Sequence, residues 1–398
     1  METPAKFIGR RNVLLLAFSQ AAALSAIVMS MALAGLLGAN LAPDKGLATL
    51  PIAVMVVGTA LASLPAALLM RRFGRRTGFL TGAALGLAGS LLSAYALQRA
   101  SFLLFVIGHL LLGSYQGFAN YYRFAAAEAT DAAHASRAIS WVVAAGVVAA
   151  FVGPALGQWG RDTVAANAFV GSYLAQGALA GVALLLLWQV RLPPVAAAAE
   201  GIARPLREIV AQPAVRAAVL GAAAAYAVMI MVMTAAPLAM LGCGLAATSV
   251  TPVIQWHVVG MFAPSFFTGR LVERHGAPRI MQIGFGLLLG NVAIALLGVT
   301  WLHFVAALIL LGVGWNFAFI GATTLLTQRC RPAEQSTVQA INEFVVFGIV
   351  ALASLSAGWL YDRFGWTALN LVVAPLLIMG WLSTVWVGRR LRQAPLPV

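Results

Sequence analysis

The chain has 398 residues, of which 62% are hydrophobic and only 9% are charged. A soluble globular protein is about half apolar and about a quarter charged, so this composition excludes a soluble enzyme and a disordered chain. The formal net charge of +14 would suggest a nucleic-acid partner in a soluble protein, but we expect none here, because the basic residues lie between apolar segments.

Twelve apolar segments follow one another along the sequence. Each is long enough to cross a bilayer as a helix, since a crossing needs about 20 residues. The predicted segments are 12–37, 47–70, 77–97, 101–126, 138–160, 166–190, 215–240, 250–270, 280–300, 302–327, 338–361 and 367–387. We therefore predict an all-α membrane protein with twelve transmembrane helices and lipid as its main surroundings.

The positions of the basic residues predict the orientation of these helices. If the N-terminus is cytoplasmic, most of the 25 Lys and Arg residues lie on the cytoplasmic side. The exceptions are Lys45, Arg99, Arg161 and Arg363. Cytoplasmic loops of membrane proteins carry an excess of Lys and Arg, so both termini are predicted to be cytoplasmic.

The second half of the chain repeats the first at an offset of about 202 residues. Residues 71–76 align with 273–278, and both lie between the second and third helices of a half. Prolines and charges are concentrated in residues 191–214, which is typical of a linker. We predict an N-terminal six-helix bundle at 1–190, a cytoplasmic linker at 191–214 and a C-terminal six-helix bundle at 215–398.

Two parallel six-helix repeats resemble the major facilitator superfamily. The resemblance implies the fold of that superfamily and transport by alternating access, with no enzymatic activity and no catalytic residue. It also assigns a gating role to the loops after the second helix of each half, where glycine permits a tight turn and charged groups pair across helix ends. The residues that match this pattern are Arg72, Gly74, Arg75 and Arg76 in the first half and Gly269, Glu273, Arg274 and Gly276 in the second.

Two neighbouring helices of the second half carry soft metal ligands. Met229 and Met233 are four residues apart on the seventh helix, and His257 and Met261 are four apart on the eighth, so each pair lies on one helical face. The two pairs also lie at similar depth in the membrane. Thioether and neutral imidazole groups suit Cu(I), whereas Mg²⁺ and Ca²⁺ prefer oxygen ligands. These four residues therefore predict a copper site.

These ligand pairs are similar to those of the CcoA-type copper importers of bacterial inner membranes, a branch of the same superfamily. The resemblance implies an inner-membrane carrier that moves Cu(I) into the cytoplasm to supply cytochrome oxidase assembly. Copper would be the transported substrate, with no prosthetic group, and a cytoplasmic copper-accepting protein would receive it from a monomeric carrier. The same branch contains riboflavin carriers, so transport of riboflavin or another small organic solute is the alternative.

Three further sulfur-containing residues are candidate accessory ligands. Cys243 and Cys330 are predicted on opposite sides of the membrane, so they cannot form a disulfide. We expect Cys243 to help capture the ion and Cys330 to help release it. Met240, near the predicted outer mouth, is a candidate first contact for the ion.

An organic solute would need a different set of residues. Aromatic and amide groups suit a flavin ring, although helix packing explains them equally well. The candidates are His109, Gln116 and Asn120 in the fourth helix and Trp315 and Asn316 in the tenth. Glu128 and Glu343 are predicted near helix ends, and no carboxylate is predicted in the middle of a helix, which argues against a proton-coupled drug antiporter.

Overall fold

The computed structural model describes residues 4–44, 47, 50–164, 168–192, 204–246 and 249–393. Most of the predicted linker, at 193–203, lies outside the described residues. The described chain is almost entirely helical. Its α-helices are α1 (Pro4–Leu41), α2 (Leu50–Phe73), α3 (Arg75–Gln98), α4 (Phe102–Ala119), α5 (Tyr122–Glu128), α6 (Ala135–Ala144), α7 (Gly146–Trp159), α8 (Val170–Trp188), α9 (Leu206–Ala211), α10 (Pro213–Gly242), α11 (Val250–Phe262), α12 (Ser265–His275), α13 (Ala277–Leu297), α14 (Trp301–Arg329) and α15 (Gln335–Gln393).

The helices cross the membrane in the manner of a twelve-span protein. Within the described ranges, ten helical segments are long and apolar enough to cross a bilayer. The predicted eighth span is divided into α11 and α12, because Pro264 has no backbone N–H to continue a helix. The predicted eleventh and twelfth spans are the two helices of α15, which are separated at Gly365, where the backbone is not helical (φ 73°, ψ −178°). The chain is therefore an all-α, multi-pass membrane protein with twelve spans.

The turns between the second and third helices of each half have the same backbone geometry. Gly74 lies between α2 and α3 with φ 88°, and Gly276 lies between α12 and α13 with φ 82°. Positive φ values are easily adopted only by glycine, so both loops require it. The internal repeat of the sequence is thus also a repeat of local structure.

The helices of each half pack through close contacts at glycine. A Cβ atom added at Gly89 of α3 would lie 2.8 Å from the carbonyl oxygen of Gly108 in α4. In the second half, a Cβ at Gly284 of α13 would lie 2.8 Å from the carbonyl oxygen of Gly314 in α14. Small residues allow helix backbones to approach closely within a membrane, where lipid already surrounds apolar side chains.

The chain forms two compact units. The first unit contains Met1–Thr130, Ala145–Glu200 and Gln335–Phe347, and the second contains Asp131–Ala144, Gly201–Glu334 and Gly348–Val398. Each unit therefore includes a short segment from the other half of the sequence. The predicted bundle and linker boundaries at residues 190 and 214 stay a prediction, since the units follow packing rather than the repeat.

Candidate functional site

A row of polar side chains lies on one face of α4 and continues through residue 120 into α5. Other faces of α4 are covered, because Gly113 packs against Met55 of α2 and Tyr115 packs against Gly86 of α3. The row has spacings of seven, four and three residues, which place its members on a common helical face. We call it the polar row, and it consists of His109, Gln116, Asn120 and Arg123.

Gln116 and Asn120 form a hydrogen-bonded amide pair within the polar row. Gln116 Nε2 donates to Asn120 Oδ1 at 2.9 Å. The other two amide atoms, Gln116 Oε1 and Asn120 Nδ2, are buried, and neither has a hydrogen-bond partner among the described residues. Turning both amides over would exchange the roles, but it would still leave one acceptor and one donor. Each unsatisfied buried polar atom costs about 1–3 kcal/mol, so a solute that supplies both partners would be bound favourably.

Arg123 connects the amide pair to a buried carboxylate. Its Nη1 donates to the carbonyl oxygen of Asn120 at 2.8 Å, and its Nη2 donates to Oε1 of Glu343 at 2.6 Å. Glu343 is fully buried in α15. The sequence placed Glu343 near a helix end but did not predict its burial or its pairing with Arg123. A carboxylate buried in membrane-spanning helices needs a cationic partner, and Arg123 provides it.

His109, the first member of the polar row, is committed to packing. Its Nδ1 is 2.8 Å from the carbonyl oxygen of Phe105, and its Nε2 is 3.2 Å from the hydroxyl of Tyr173 in α8. Both ring nitrogens therefore have partners within the first unit. Among the predicted solute-lining residues, His109 holds α4 to α8 rather than presenting a free group.

Asn316 of α14, in the second unit, also uses its polar atoms in hydrogen bonds between helices. Its Nδ2 donates to the carbonyl oxygen of Met261 at 2.6 Å and to Ser265 Oγ, and its Oδ1 accepts from Thr268 Oγ1 at 2.7 Å. These bonds hold α14 against α11 and α12 at the break between those two helices. The side chain is fully buried, and its amide group is occupied by these hydrogen bonds within the protein.

Trp315, next to Asn316, belongs to an aromatic cluster in the second unit. Its ring is stacked on Phe319 at 4.9 Å between centroids, and Tyr226 and Phe262 meet it edge-on at 5.2 and 5.9 Å. The indole Nε1 is buried and finds no acceptor in the described part of the chain. Aromatic faces with an unsatisfied N–H suit a flat ring that carries polar atoms.

The four predicted copper ligands lie on two helices that both pack mainly against α14 and have little contact with each other. Met229, His257 and Met261 are buried, and Met233 is half-buried. His257 Nδ1 is 2.8 Å from the carbonyl oxygen of Leu308 in α14. Its Nε2 has no hydrogen-bond partner among the described residues. The ring is thus turned toward α14, and the joining of the four side chains into one copper site stays a prediction.

A cavity of about 260 Å³ lies beside these residues in the second unit, but it is not lined by His257 or Met261. Its walls come from α11, α12 and α14 and include Trp256, Phe267 and Ile309. Trp256 and Phe267 are about half exposed, as expected for side chains that face lipid. The cavity offers no soft ligand to a metal ion.

The three candidate accessory ligands differ in exposure. Met240 is fully buried, Cys243 is exposed at the end of α10, and Cys330 is partly buried at the end of α14. Burial, reinforced by the negative charge of Glu334, raises the pKa of the Cys330 thiol to about 12. A thiol with so high a pKa is almost never a thiolate at neutral pH when no metal ion is bound. The capture and release roles stay predictions.

The predicted gating loop of the first half makes its charge pairs with residues outside the loop. Arg75 donates from Nε and Nη2 to the carboxylate of Glu128, at 3.1 Å for Nε, and Nη2 also donates to Gln339. Gln339 in turn donates to Glu128 at 3.1 Å. Two other arginines of the loop lie over aromatic rings, Arg72 over Phe73 and Arg76 over Trp188. The loop is thereby fixed to α5 and α15 within the first unit.

The corresponding loop of the second half pairs with α6. Arg137 Nη2 donates to Glu273 Oε2 at 2.6 Å. A Cβ atom at Gly269 would lie 2.7 Å from the Cα of Arg137, so glycine allows this approach of α12 to α6. Arg274 occupies the last turn of α12, where a positive charge is favourable. Each loop thus has a glycine turn and one carboxylate–guanidinium pair.

The sequence matches the family described as Major Facilitator Superfamily over residues 13–353 and 253–397. The chain belongs to the Major Facilitator Superfamily. It is 43% identical over 373 residues to the riboflavin transporter RfnT of Brucella anthropi, with 93% of this chain and 94% of that protein covered. It is 24% identical to YddS of Bacillus subtilis, described as an uncharacterized MFS-type transporter, over 96% of this chain and 92% of that protein.

Solved structures show the same fold. The structure of the superfamily transporter FucP in the outward conformation aligns with a TM-score of 0.79 at 14% identity, covering 94% of this chain and 98% of that one. The human organic anion transporter MFSD10 aligns with a TM-score of 0.74 at 15% identity, covering 96% and 100%. At this identity the likeness concerns the superfamily fold alone. Nothing in these comparisons supports the predicted copper import.

Sequence reasoning did not identify Glu128, Gln339 and Glu343 as site residues of this superfamily member. Gln339 and Glu343 are separated from their arginine partners by 264 and 220 positions. Their only local signal is the four-residue spacing of Gln339 and Glu343, which places both on one face of α15.

Proposed function

We propose that this superfamily transporter carries riboflavin or a solute of closely similar chemistry. The observation that carries the proposal is the 43% identity to a riboflavin transporter, extending over 93% of the chain. Because that match covers 93% of the chain, it includes most of the residues that could contribute to a substrate site. The alternative considered from the sequence is therefore preferred over copper import.

The chemistry of the unsatisfied buried atoms supports an organic solute. Riboflavin combines a flat aromatic ring system, a polar pyrimidine edge and a chain of hydroxyl groups, and it carries no charge at neutral pH. The first unit offers a neutral amide pair at Gln116 and Asn120, and the second offers the aromatic cluster around Trp315. Apolar and aromatic walls with a few placed polar groups are typical of sites for small organic molecules.

The direction and location of transport belong to the same proposal. The concentration of basic residues in alternate loops supports cytoplasmic positions for both termini. The bacterial relatives support a location in a bacterial inner membrane. We infer an uptake carrier that works by alternating access, as a monomer and without a prosthetic group. A hydroxyl-rich flavin crosses lipid slowly, so a cell that depends on external riboflavin needs such a carrier.

Growth of a riboflavin-auxotrophic bacterium without its own uptake system tests the proposal. Cells that express this chain should grow at riboflavin concentrations too low to support cells with an empty vector. Both strains should grow alike at high riboflavin, which controls for general toxicity of the membrane protein. Equal growth of the two strains at low riboflavin, with the protein present in the membrane by immunoblot, would contradict the proposal.

A further inference from the structure

We propose that Gln116 and Asn120 read the imide edge of a planar ring, which for riboflavin is the pyrimidine edge that carries N3–H between two carbonyl groups. The inference rests on the proposed function and names the part of the substrate that these two residues recognise. An imide edge presents a donor directly beside an acceptor. The two unpartnered atoms of the amide pair are the complementary acceptor, Gln116 Oε1, and donor, Asn120 Nδ2.

The hydrogen bond within the pair holds the two amide groups next to each other. Residues four apart on a helix have Cβ atoms about 5–6 Å apart. The bond of 2.9 Å between Gln116 Nε2 and Asn120 Oδ1 fixes the two amides against each other. Their remaining oxygen and nitrogen therefore form one two-point site. Asn and Gln side chains recognise nucleobase edges in nucleic acids by the same pairing of one donor with one acceptor.

Three polar side chains near the pair already have hydrogen-bond partners. His109 bonds to Phe105 and Tyr173, and the Ser114 hydroxyl donates to the carbonyl oxygen of Leu110 at 2.9 Å. Arg123 donates to the backbone oxygen of Asn120 and to Glu343, which holds Asn120 in place. The Asn120 side chain is only 5% exposed, and Gln116 is half-buried. Both unpartnered amide atoms are buried, and protein contacts leave the site incomplete.

A site with one acceptor and one donor for the imide edge discriminates strongly against a substrate that lacks the N3–H group. Methylation of N3 removes the donor and places a methyl group against Gln116 Oε1, leaving that oxygen buried and unpaired. Loss of a hydrogen-bonding group costs a transporter or enzyme site much more than loss of a methylene, because the partner stays unsatisfied. A change at the opposite, benzenoid end of the ring leaves the imide edge intact.

Competition for uptake of radiolabelled riboflavin tests the inference on the unmodified protein. The competitors are unlabelled riboflavin, 3-methylriboflavin and an analogue altered only at the 8-position. We expect 3-methylriboflavin to compete at least about tenfold less well than riboflavin, as the loss of one buried hydrogen bond predicts. The 8-substituted analogue should compete much better than the 3-methyl compound. Equal competition by riboflavin and 3-methylriboflavin would overturn the inference.

Three single variants then test which residues recognise the imide edge. In Gln116→Leu the preference for riboflavin over 3-methylriboflavin should fall toward one, because no acceptor remains to be left unpaired. In Asn120→Leu the KM for both flavins should rise together, because both retain the carbonyl group. Ser114→Ala, on the same helix, should retain the parent preference and KM. A parent-like preference in Gln116→Leu, or a parent-like KM for both flavins in Asn120→Leu, would also overturn the inference.

The outcomes distinguish failure of the proposed riboflavin transport from failure of the proposed imide recognition. If the parent protein takes up no riboflavin, the proposed function fails, and the inference that rests on it fails too. If riboflavin is taken up and N3 methylation makes no difference, the proposed function stands and only the imide-reading role is lost.

Discussion

Arg123 and Glu343 form an ion pair in which the two side chains are only 6% and 0% exposed. The guanidinium Nη2 lies 2.6 Å from the carboxylate Oε1, and the two residues are 220 positions apart in the sequence. The pair joins segment Gln335–Phe347 to α5 within the first unit. It also connects, through the backbone of Asn120, to the amide pair that we assign to substrate recognition.

Neutralising one member of this pair should destabilise the protein. Glu343→Gln leaves Arg123 buried without its counter-charge, and breaking a buried ion pair from one side costs about 3–5 kcal/mol. Thermal unfolding of the detergent-purified protein should therefore show a clearly lower Tm for Glu343→Gln than for the parent.

A double variant tests whether the unpaired buried charge is the cause of the lower Tm. Replacing both partners, as Arg123→Met with Glu343→Met, removes the unpaired charge and should recover part of the lost Tm. Asp162→Asn is a matched control, because Asp162 is 85% exposed and its contact with Arg161 is 3.7 Å long. A Glu343→Gln protein as stable as Asp162→Asn would contradict the structural role of the pair.

The close approach of α4 to α2 predicts opposite effects of alanine at two glycines. A Cβ atom at Gly113 would lie 1.9 Å from the carbonyl oxygen of Met55, whereas a Cβ at Gly181 of α8 would meet nothing within 4 Å. Gly113→Ala should lower the free energy of unfolding by about 1–3 kcal/mol through overpacking. Gly181→Ala should leave it unchanged or raise it by up to about 1 kcal/mol, because alanine is the better helix former.

Thermal unfolding of the two purified variants measures this difference. The two glycines belong to the same unit and both lie in helices, so general effects of alanine in a helix cancel in the comparison. Gly113→Ala should also reduce the amount of folded protein in the membrane. Identical Tm values for the two variants would show that α2 and α4 are not in the close contact described.

The two cysteines should differ in reactivity. The pKa of Cys330 is raised to about 12 by burial and by Glu334, while Cys243 is exposed. Maleimide reacts with the thiolate, so at pH 7 Cys330 should be labelled at least about 100-fold more slowly than Cys243. Its rate should still rise about tenfold per pH unit above pH 9, where an ordinary thiol with a pKa of about 8.5 has stopped responding.

Labelling kinetics on Cys243→Ser and Cys330→Ser proteins measure each thiol separately. Each variant leaves one cysteine, so the assignment of the two rates is direct. A rate for Cys330 that matches Cys243 at pH 7, or that levels off near pH 9, would contradict the buried environment of the thiol.

The sequence was sufficient to predict the fold because apolar length and charge placement act locally. The twelve predicted spans have counterparts in the structure, including the eighth, whose break at Pro264 is itself a local signal. The glycine turns at Gly74 and Gly276 were also recognisable from the repeat. The non-helical backbone at Gly365 also agrees with the predicted separation of the eleventh and twelfth spans, 338–361 and 367–387.

The candidate site was less predictable, because the partner of a polar side chain is set by tertiary contacts. The sequence left open whether His109 and Asn316 line a solute site or pack helices together, and the structure shows both hydrogen-bonded between helices. Gln116 and Asn120 carry the same kind of amide groups, yet each retains an unpaired atom. Four-residue spacing predicted that Met229 and Met233 share a face, but it could not predict that α14 would be the main neighbour of both α10 and α11.

The most direct test of the account is the uptake of radiolabelled riboflavin and of radiolabelled copper, measured in parallel in the same cells. The parent protein should raise riboflavin uptake above the empty-vector level and leave copper uptake unchanged. Met233→Ala and His257→Ala, compared at equal amounts of membrane protein, should retain riboflavin uptake. Copper uptake that depends on Met233 and His257, with no uptake of riboflavin, would contradict the account.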